Sequence, residues 1–140
     1  PEAEFLLRLS KQSIRELECL CAPPEFILLD GGYTTTLDLP ELRGSVAALA
    51  GLAWVKAQKK LTVEKDYNLR IAKKSLFHSL RVLRFGVQIA KHGRVVDWKE
   101  CNDLFVAIMA NPATTWEPYK TEYKKLYNQY RTAFRLAAPM

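Results

Sequence analysis

The chain has 140 residues, of which 49% are hydrophobic and 26% charged, and carries a formal net charge of +6. A chain of this length can bury roughly 70% of its unfolded surface in one core, and its ordinary composition excludes a disordered or low-complexity protein. The longest apolar run, residues 47–55, falls far short of the roughly 20 residues of a membrane-spanning helix, so no transmembrane segment and no membrane partner is expected.

The first residues already have mid-helix character, Glu-Phe-Leu-Leu-Arg-Leu over 4–9. The chain is therefore expected to be one helical domain, 1–140, that is part of a larger protein, with its targeting signals unreadable. Ser13-Ile14-Arg15-Glu16 is a capping box that predicts a short second helix to about Cys21, ended by Pro23-Pro24. An apolar run over 25–29 before Asp30-Gly31-Gly32 predicts a short extended segment and a turn. Asp38-Leu39-Pro40-Glu41 sets an acidic N-cap before a first-turn proline and predicts a helix to about Lys60. Ala, Val, Leu and Trp54 surround that helix almost completely, so it is expected to be buried. The next helix is predicted from about Ile71 to His92, with Gly93 as its C-cap.

At 100° per residue, Leu76, Leu80, Leu83, Val87 and Ala90 share one face of that helix, and Val82, Phe85 and Ile89 lie opposite, so it should pack on two sides. Asp97-Trp98-Lys99-Glu100 and Thr114-Thr115-Trp116-Glu117 each read as a capping box, the first for a helix to about Ala110 and the second for one to about Leu136. The expectation is an all-α domain of about six helices, irregular and orthogonal or bundle-like, with at most the short extended segment near 25–29.

Basic residues are concentrated. Between Lys56 and Arg94 eleven Lys/Arg face only Glu64 and Asp66, which gives this stretch +9 and leaves −3 for the rest. A local positive surface points to an anionic partner. Within it, Lys74, His78 and Arg81 follow i, i+4 and i+7, a stripe bordering the second apolar face, where a cleft can form. An arginine fork, a lysine point charge and a titratable imidazole together suit a phosphate. Lys73, Arg84 and Lys91 form a second stripe that widens the positive field, which favours a nucleotide or polyanion such as RNA. The same pattern also fits a solvated basic face whose stems lie on neighbouring helices.

Trp116, Tyr119, Tyr123, Tyr127, Tyr130 and Phe134 recur every three or four residues with Lys and Arg between them. They fit an amphipathic helix docked by its aromatic face better than a platform that stacks bases. Cys19, Cys21 and Cys101 lack the closely spaced partners of a zinc site and read as reduced thiols of an intracellular protein, cytoplasmic or nuclear. Asp30-Gly31-Gly32 lacks a Gly-Lys-Ser/Thr ending, and His78 and His92 sit in no catalytic motif, so no catalytic or metal-ligating set is read.

Two blocks resemble the predicted nucleotidyltransferases of the DNA polymerase-β superfamily, in the part that follows their catalytic sheet. The first runs from Phe5-Leu6-Leu7-Arg8-Leu9-Ser10 through Glu16-Leu17-Glu18-Cys19-Leu20-Cys21-Ala22-Pro23, similar to that family's helix followed by Leu-Glu-x-Leu-x-x-Pro. The second, Lys73-Lys74-Ser75-Leu76-Phe77-His78-Ser79-Leu80-Arg81-Val82-Leu83, is similar to its Lys-Lys-x-Leu-(Phe/Tyr)-x-x-Leu-Arg-x-Leu helix. Together they cover about a quarter of the chain, in the family's order.

The resemblance implies that Lys74 and Arg81, with His78 added, face a nucleotide cleft and bind its phosphates, and that Glu18 lies near a domain junction. The family's Gly-Ser/Gly and Asp-x-Asp signature is missing, and Gly31-Gly32 with Asp38 cannot replace it, being too close together and on the wrong side of the first block. Two-metal chemistry needs paired carboxylates. The chain is therefore expected to be the helical substrate-side portion of a nucleotidyltransferase-like protein, inactive alone. Mg²⁺ would belong to the absent catalytic domain and no cofactor to this chain. The rival expectation is an all-α protein-interaction domain without nucleotide chemistry. An apolar patch around Phe5 to Leu29 would in either case offer a surface for a homodimer.

Overall fold

The computed structural model describes residues 2–15, 17 and 36–139. It is all-helical: among the described residues there are five helices and no strand. The extended segment expected over 25–29, Asp30-Gly31-Gly32, Glu18, Cys19 and Cys21 lie outside the described residues. The helix expected from Ser13 is seen only at its start. Leu17 N–H donates to the Ser13 carbonyl at 3.0 Å, while Glu16, the capping partner of Ser13, lies outside the described residues.

Helix α1, Glu2–Ser10, carries Glu2 and Glu4 in its first turn and Arg8 in its last, complementing the helix dipole. Arg8 pairs with Glu4, and Leu9 is buried. The chain leaves α1 through Gln12, whose φ of 56° is left-handed. That conformation is uncommon outside glycine, and here contacts hold it from both sides. The buried Gln12 side chain donates to the Thr36 carbonyl at 3.1 Å and accepts from Asp38 N–H at 3.2 Å. Ser45 Oγ donates to the Gln12 carbonyl at 2.6 Å. One residue thus fastens the end of α1 to the chain from Thr36 to Ser45.

Helix α2, Leu39–Thr62, begins where the sequence predicts: Asp38 Oδ1 accepts from Glu41 N–H at 3.1 Å, with Pro40 in the first turn. It is not buried all round, which corrects the expectation from its composition. Leu42, Val46, Ala50, Ala53, Trp54 and Ala57 form one buried stripe, whereas Leu52 is 69% and Val55 49% exposed. Among the described residues the long helices pack against that stripe, so the apolar far side faces out.

After a 3₁₀ turn, Glu64–Asp66, Asn68 caps helix α3, Leu69–His92, by accepting from Ile71 N–H at 3.1 Å. The helix therefore starts two residues before the predicted position. Gly93, φ 74°, closes it in the left-handed conformation, donating to the Ile89 carbonyl at 2.8 Å. Both predicted faces of α3 are covered, with Leu76, Leu80, Leu83 and Val87 buried on one and Val82, Phe85 and Ile89 on the other. Helix α3 is the centre of the domain, contacting α2 most extensively and then α5, Trp116–Ala137, and α4, Asn102–Ala110.

Helix α4 starts later than its capping box predicts. A box would turn Glu100 back to the N–H of Asp97, but both groups have partners on α3. Glu100 accepts from Arg84 Nε at 2.6 Å and Gln88 Nε2 at 2.5 Å, and Asp97 N–H donates to Gln88 Oε1 at 2.9 Å. The aromatics of α5 pack inward, as the amphipathic reading expects. Trp116, Tyr119, Tyr123, Tyr127 and Phe134 are buried, and Trp54 of α2 stacks on Tyr127 at 4.5 Å and meets Trp116 edge-on at 5.2 Å. Tyr119 finds a polar partner at the rim, donating to the Ala113 carbonyl at 2.6 Å.

Candidate anion-binding groove

The basic stripe of α3 falls into separate environments. Lys74 and His78 line a groove of about 500 Å³ that Lys56 of α2 and Arg15 also line. Leu49, Leu52, Ala53 and Ile71 supply its apolar wall, Ser75 supplies a hydroxyl, and among the described residues no carboxylate lines it. Four nitrogen-bearing side chains from three parts of the chain therefore converge on one apolar concavity. A low-dielectric wall strengthens the field that such cations present to an anion.

His78 is half-buried, and its Nε2 is a buried atom without a hydrogen-bond partner among the described residues. Burial, followed by the charges of Arg81, Arg15 and Lys56, holds its pKa below the ordinary 6.5. The imidazole is thus neutral at neutral pH, and an anion beside it would favour its protonated form.

The other predicted phosphate ligands lie elsewhere. Arg81 does not line the groove; its guanidinium covers the Phe85 ring at 4.4 Å, on the second apolar face, and it contributes to the field at His78. Lys73 Nζ donates to the carbonyls of Met109 and Asn111 at 3.0 and 2.7 Å, closing the C-terminal end of α4. Arg84 pairs with Glu100 at 2.6 Å and lies over the Tyr130 ring at 5.2 Å. Arg15 and Lys56 were not among the predicted ligands. Lys56 could have been found, because Leu49, Leu52, Ala53 and Lys56 follow i, i+3, i+4 and i+7 on one face of α2. Arg15 carries no local signal, since only the fold brings it to that face.

A larger concavity of about 880 Å³ runs along the outer face of α5, between Glu117 and Leu136. Among the described residues all of its lining comes from that single helix, and none supplies a second wall to enclose a ligand. The buried aromatic faces of α5 are closed to base stacking. Cys101 is buried and its thiol is pushed up to about 11, mainly by burial, which makes it a poor nucleophile. Among the described residues no cluster of three His, Cys, Asp or Glu could hold a metal, and no helix is long and apolar enough to cross a membrane. Comparison with protein-family models, curated proteins and solved structures gives no match.

Proposed function

We propose that the chain is the helical, substrate-side portion of a nucleotidyltransferase-like protein and binds a phosphate of a nucleotide or of RNA in the groove between α2 and α3. The observation that supports this is the convergence of Arg15, Lys56, Lys74 and His78 on an apolar groove that no carboxylate lines among the described residues. Lys74 and His78 belong to the block that resembles the family's helix, and the apolar wall would lie beside a base or ribose. The groove's donors do not fit Mg²⁺, which takes oxygen ligands, so no step of this reading runs through a metal. Binding without transfer is the role left to this chain.

Titration with ATP by calorimetry should show weak binding that declines with salt. Lys74→Ala and Lys56→Ala should each weaken it about tenfold, the scale of one charge-assisted hydrogen bond. Arg81→Ala should weaken it less, because Arg81 does not line the groove and contributes to the field at His78. Absence of binding, or binding indifferent to Lys56 and Lys74, would overturn the site.

A second reading, an all-α interaction domain that pairs with a copy of itself, is favoured by exposed apolar side chains. Leu52 and Val55 on α2 are 69% and 49% exposed, and Leu6 and Leu7 on α1 are 44% and 56% exposed. Sedimentation equilibrium of the wild type and Leu7→Glu separates the readings. A dimer dissolved by that change, in a chain that does not bind ATP, would favour interaction.

A further inference from the structure

We infer that Arg43, Arg131 and Arg135 form a second oxyanion site, between α2 and α5, that takes a phosphate group carried by a larger ligand. Arg43 stands in the second turn of α2, and Arg131 and Arg135 stand at i and i+4 on the last turns of α5. All three line one small depression whose floor is Ala47, Leu83 and Phe134. It shares no residue with the groove of Lys74 and His78.

The case rests on charge left uncompensated by the fold. Among the described residues no carboxylate lines the depression, and none of the three arginines has an ion pair or a hydrogen bond from its side chain. Arg131 is held in place by the Tyr127 ring, 5.5 Å below its guanidinium. Like charges at i and i+4 destabilise a helix, and Arg43 brings a third positive charge to the same spot. The helix dipole accounts for Arg131 and Arg135, which sit near the C-terminus of α5, but it disfavours a cation near the N-terminus of α2. Arg43 is therefore left without a reason inside the fold.

Size and shape select the ligand. The depression holds about 20 Å³, enough for one water-sized group, so a phosphate oxygen can enter while a base or sugar stays outside. Guanidinium forks from two helices then engage the remaining oxygens, the geometry for which arginine is suited and lysine is not. Leu83 and Phe134 are buried and fix the floor. The arginines thus meet a seat that already exists.

The test follows the arginine Nε–H resonances of the full chain by ¹⁵N NMR during titration with inorganic pyrophosphate, a short single-stranded RNA, and acetate. Pyrophosphate or RNA should shift Arg131 and Arg135, and acetate should not. Response to both phosphate ligands assigns the seat to any phosphate, and response to RNA alone assigns it to a phosphodiester backbone. Arg43→Gln should weaken the response about tenfold, while Lys74→Ala leaves it intact, so failure of the groove and failure of this seat are told apart. Without ligand, Arg43→Gln should raise the melting temperature by relieving repulsion, which also shows that the variant folds. Unmoved arginine signals at millimolar pyrophosphate and RNA, or equal shifts with acetate, would overturn the proposal.

Discussion

At Gly86 the three long helices meet without a side chain between them. An alanine Cβ there would lie 2.8 Å from Phe134 Cε1, 3.0 Å from Phe134 Cδ1 and 3.0 Å from Val46 Cγ1. Both neighbours are buried, so neither can swing into solvent. Gly→Ala inside a helix ordinarily stabilises by about 1 kcal/mol, whereas overpacking a core costs about 1–3 kcal/mol. Gly86→Ala should therefore lose about 1 kcal/mol in urea unfolding; unchanged or higher stability would show that α2 and α5 can move apart. His78 sets a pH dependence at the same scale. Its folded pKa is lowered below 6.5 by burial and by Arg81, Arg15 and Lys56, and Lys74 faces the same groove. As pH falls, the unfolded chain takes up this proton first. The contribution of His78 to stability is thus complete above about pH 6.5 and declines below it, levelling only under the folded pKa. Between about pH 7.5 and about pH 5 the urea midpoint should fall further for the wild type than for His78→Gln, and equal falls would remove His78 from the folding equilibrium.

At the scale of elements, α3 organises the connection that follows it through one buried amide. Gln88 accepts from Val96 and Asp97 N–H at 2.8 and 2.9 Å and donates to the Asp97 carbonyl at 2.9 Å and Glu100 at 2.5 Å. Gln88→Leu keeps the volume but strands two backbone N–H groups, each costing about 1–3 kcal/mol when unmet. A loss of about 3 kcal/mol is expected, with faster amide exchange over residues 94–101; exchange unchanged there would show that the connection is held by other contacts. This network also explains what the sequence could tell. The start of α2 and the glycine stop of α3 were legible because their signals act within a few residues, as Asp38 does through Glu41 N–H; α5 also starts at Trp116 as predicted, although Thr115 makes no side-chain cap hydrogen bond and the expected capping box does not form. The start of α4 was not, because Glu100 and Asp97 are engaged by residues of α3 that no local pattern names. Lys74 and His78 could be placed on one stripe by helical spacing alone. Whether that stripe would meet Lys56 and Arg15 depended on the path of the chain, and whether Lys73 and Arg84 stayed open depended on which carbonyls and carboxylates folding brought to them.

Over the whole molecule, the excess of positive charge between Lys56 and Arg94 is less uniform than the sequence suggests. Lys60 pairs with Asp66 at 2.6 Å, Arg84 with Glu100, and Lys73 binds two carbonyls. Such engaged cations are already partly neutralised and release few counterions when a polyanion binds. Lys56 and Lys74 have no ion pair among the described residues and share the groove, so they should dominate the electrostatic part of binding. For a single-stranded nucleic acid the slope of log K against log salt is about −0.7 per phosphate neutralised. Binding of a short RNA, followed by fluorescence anisotropy across a salt series, should therefore show a slope shallower by about 0.7, the one phosphate seated in the groove, in Lys56→Ala/Lys74→Ala than in the wild type. Lys60→Ala/Lys73→Ala should change it much less, although it removes the same formal charge. Equal changes in the two variants would mean that net charge alone governs association and that the groove has no privileged place in it.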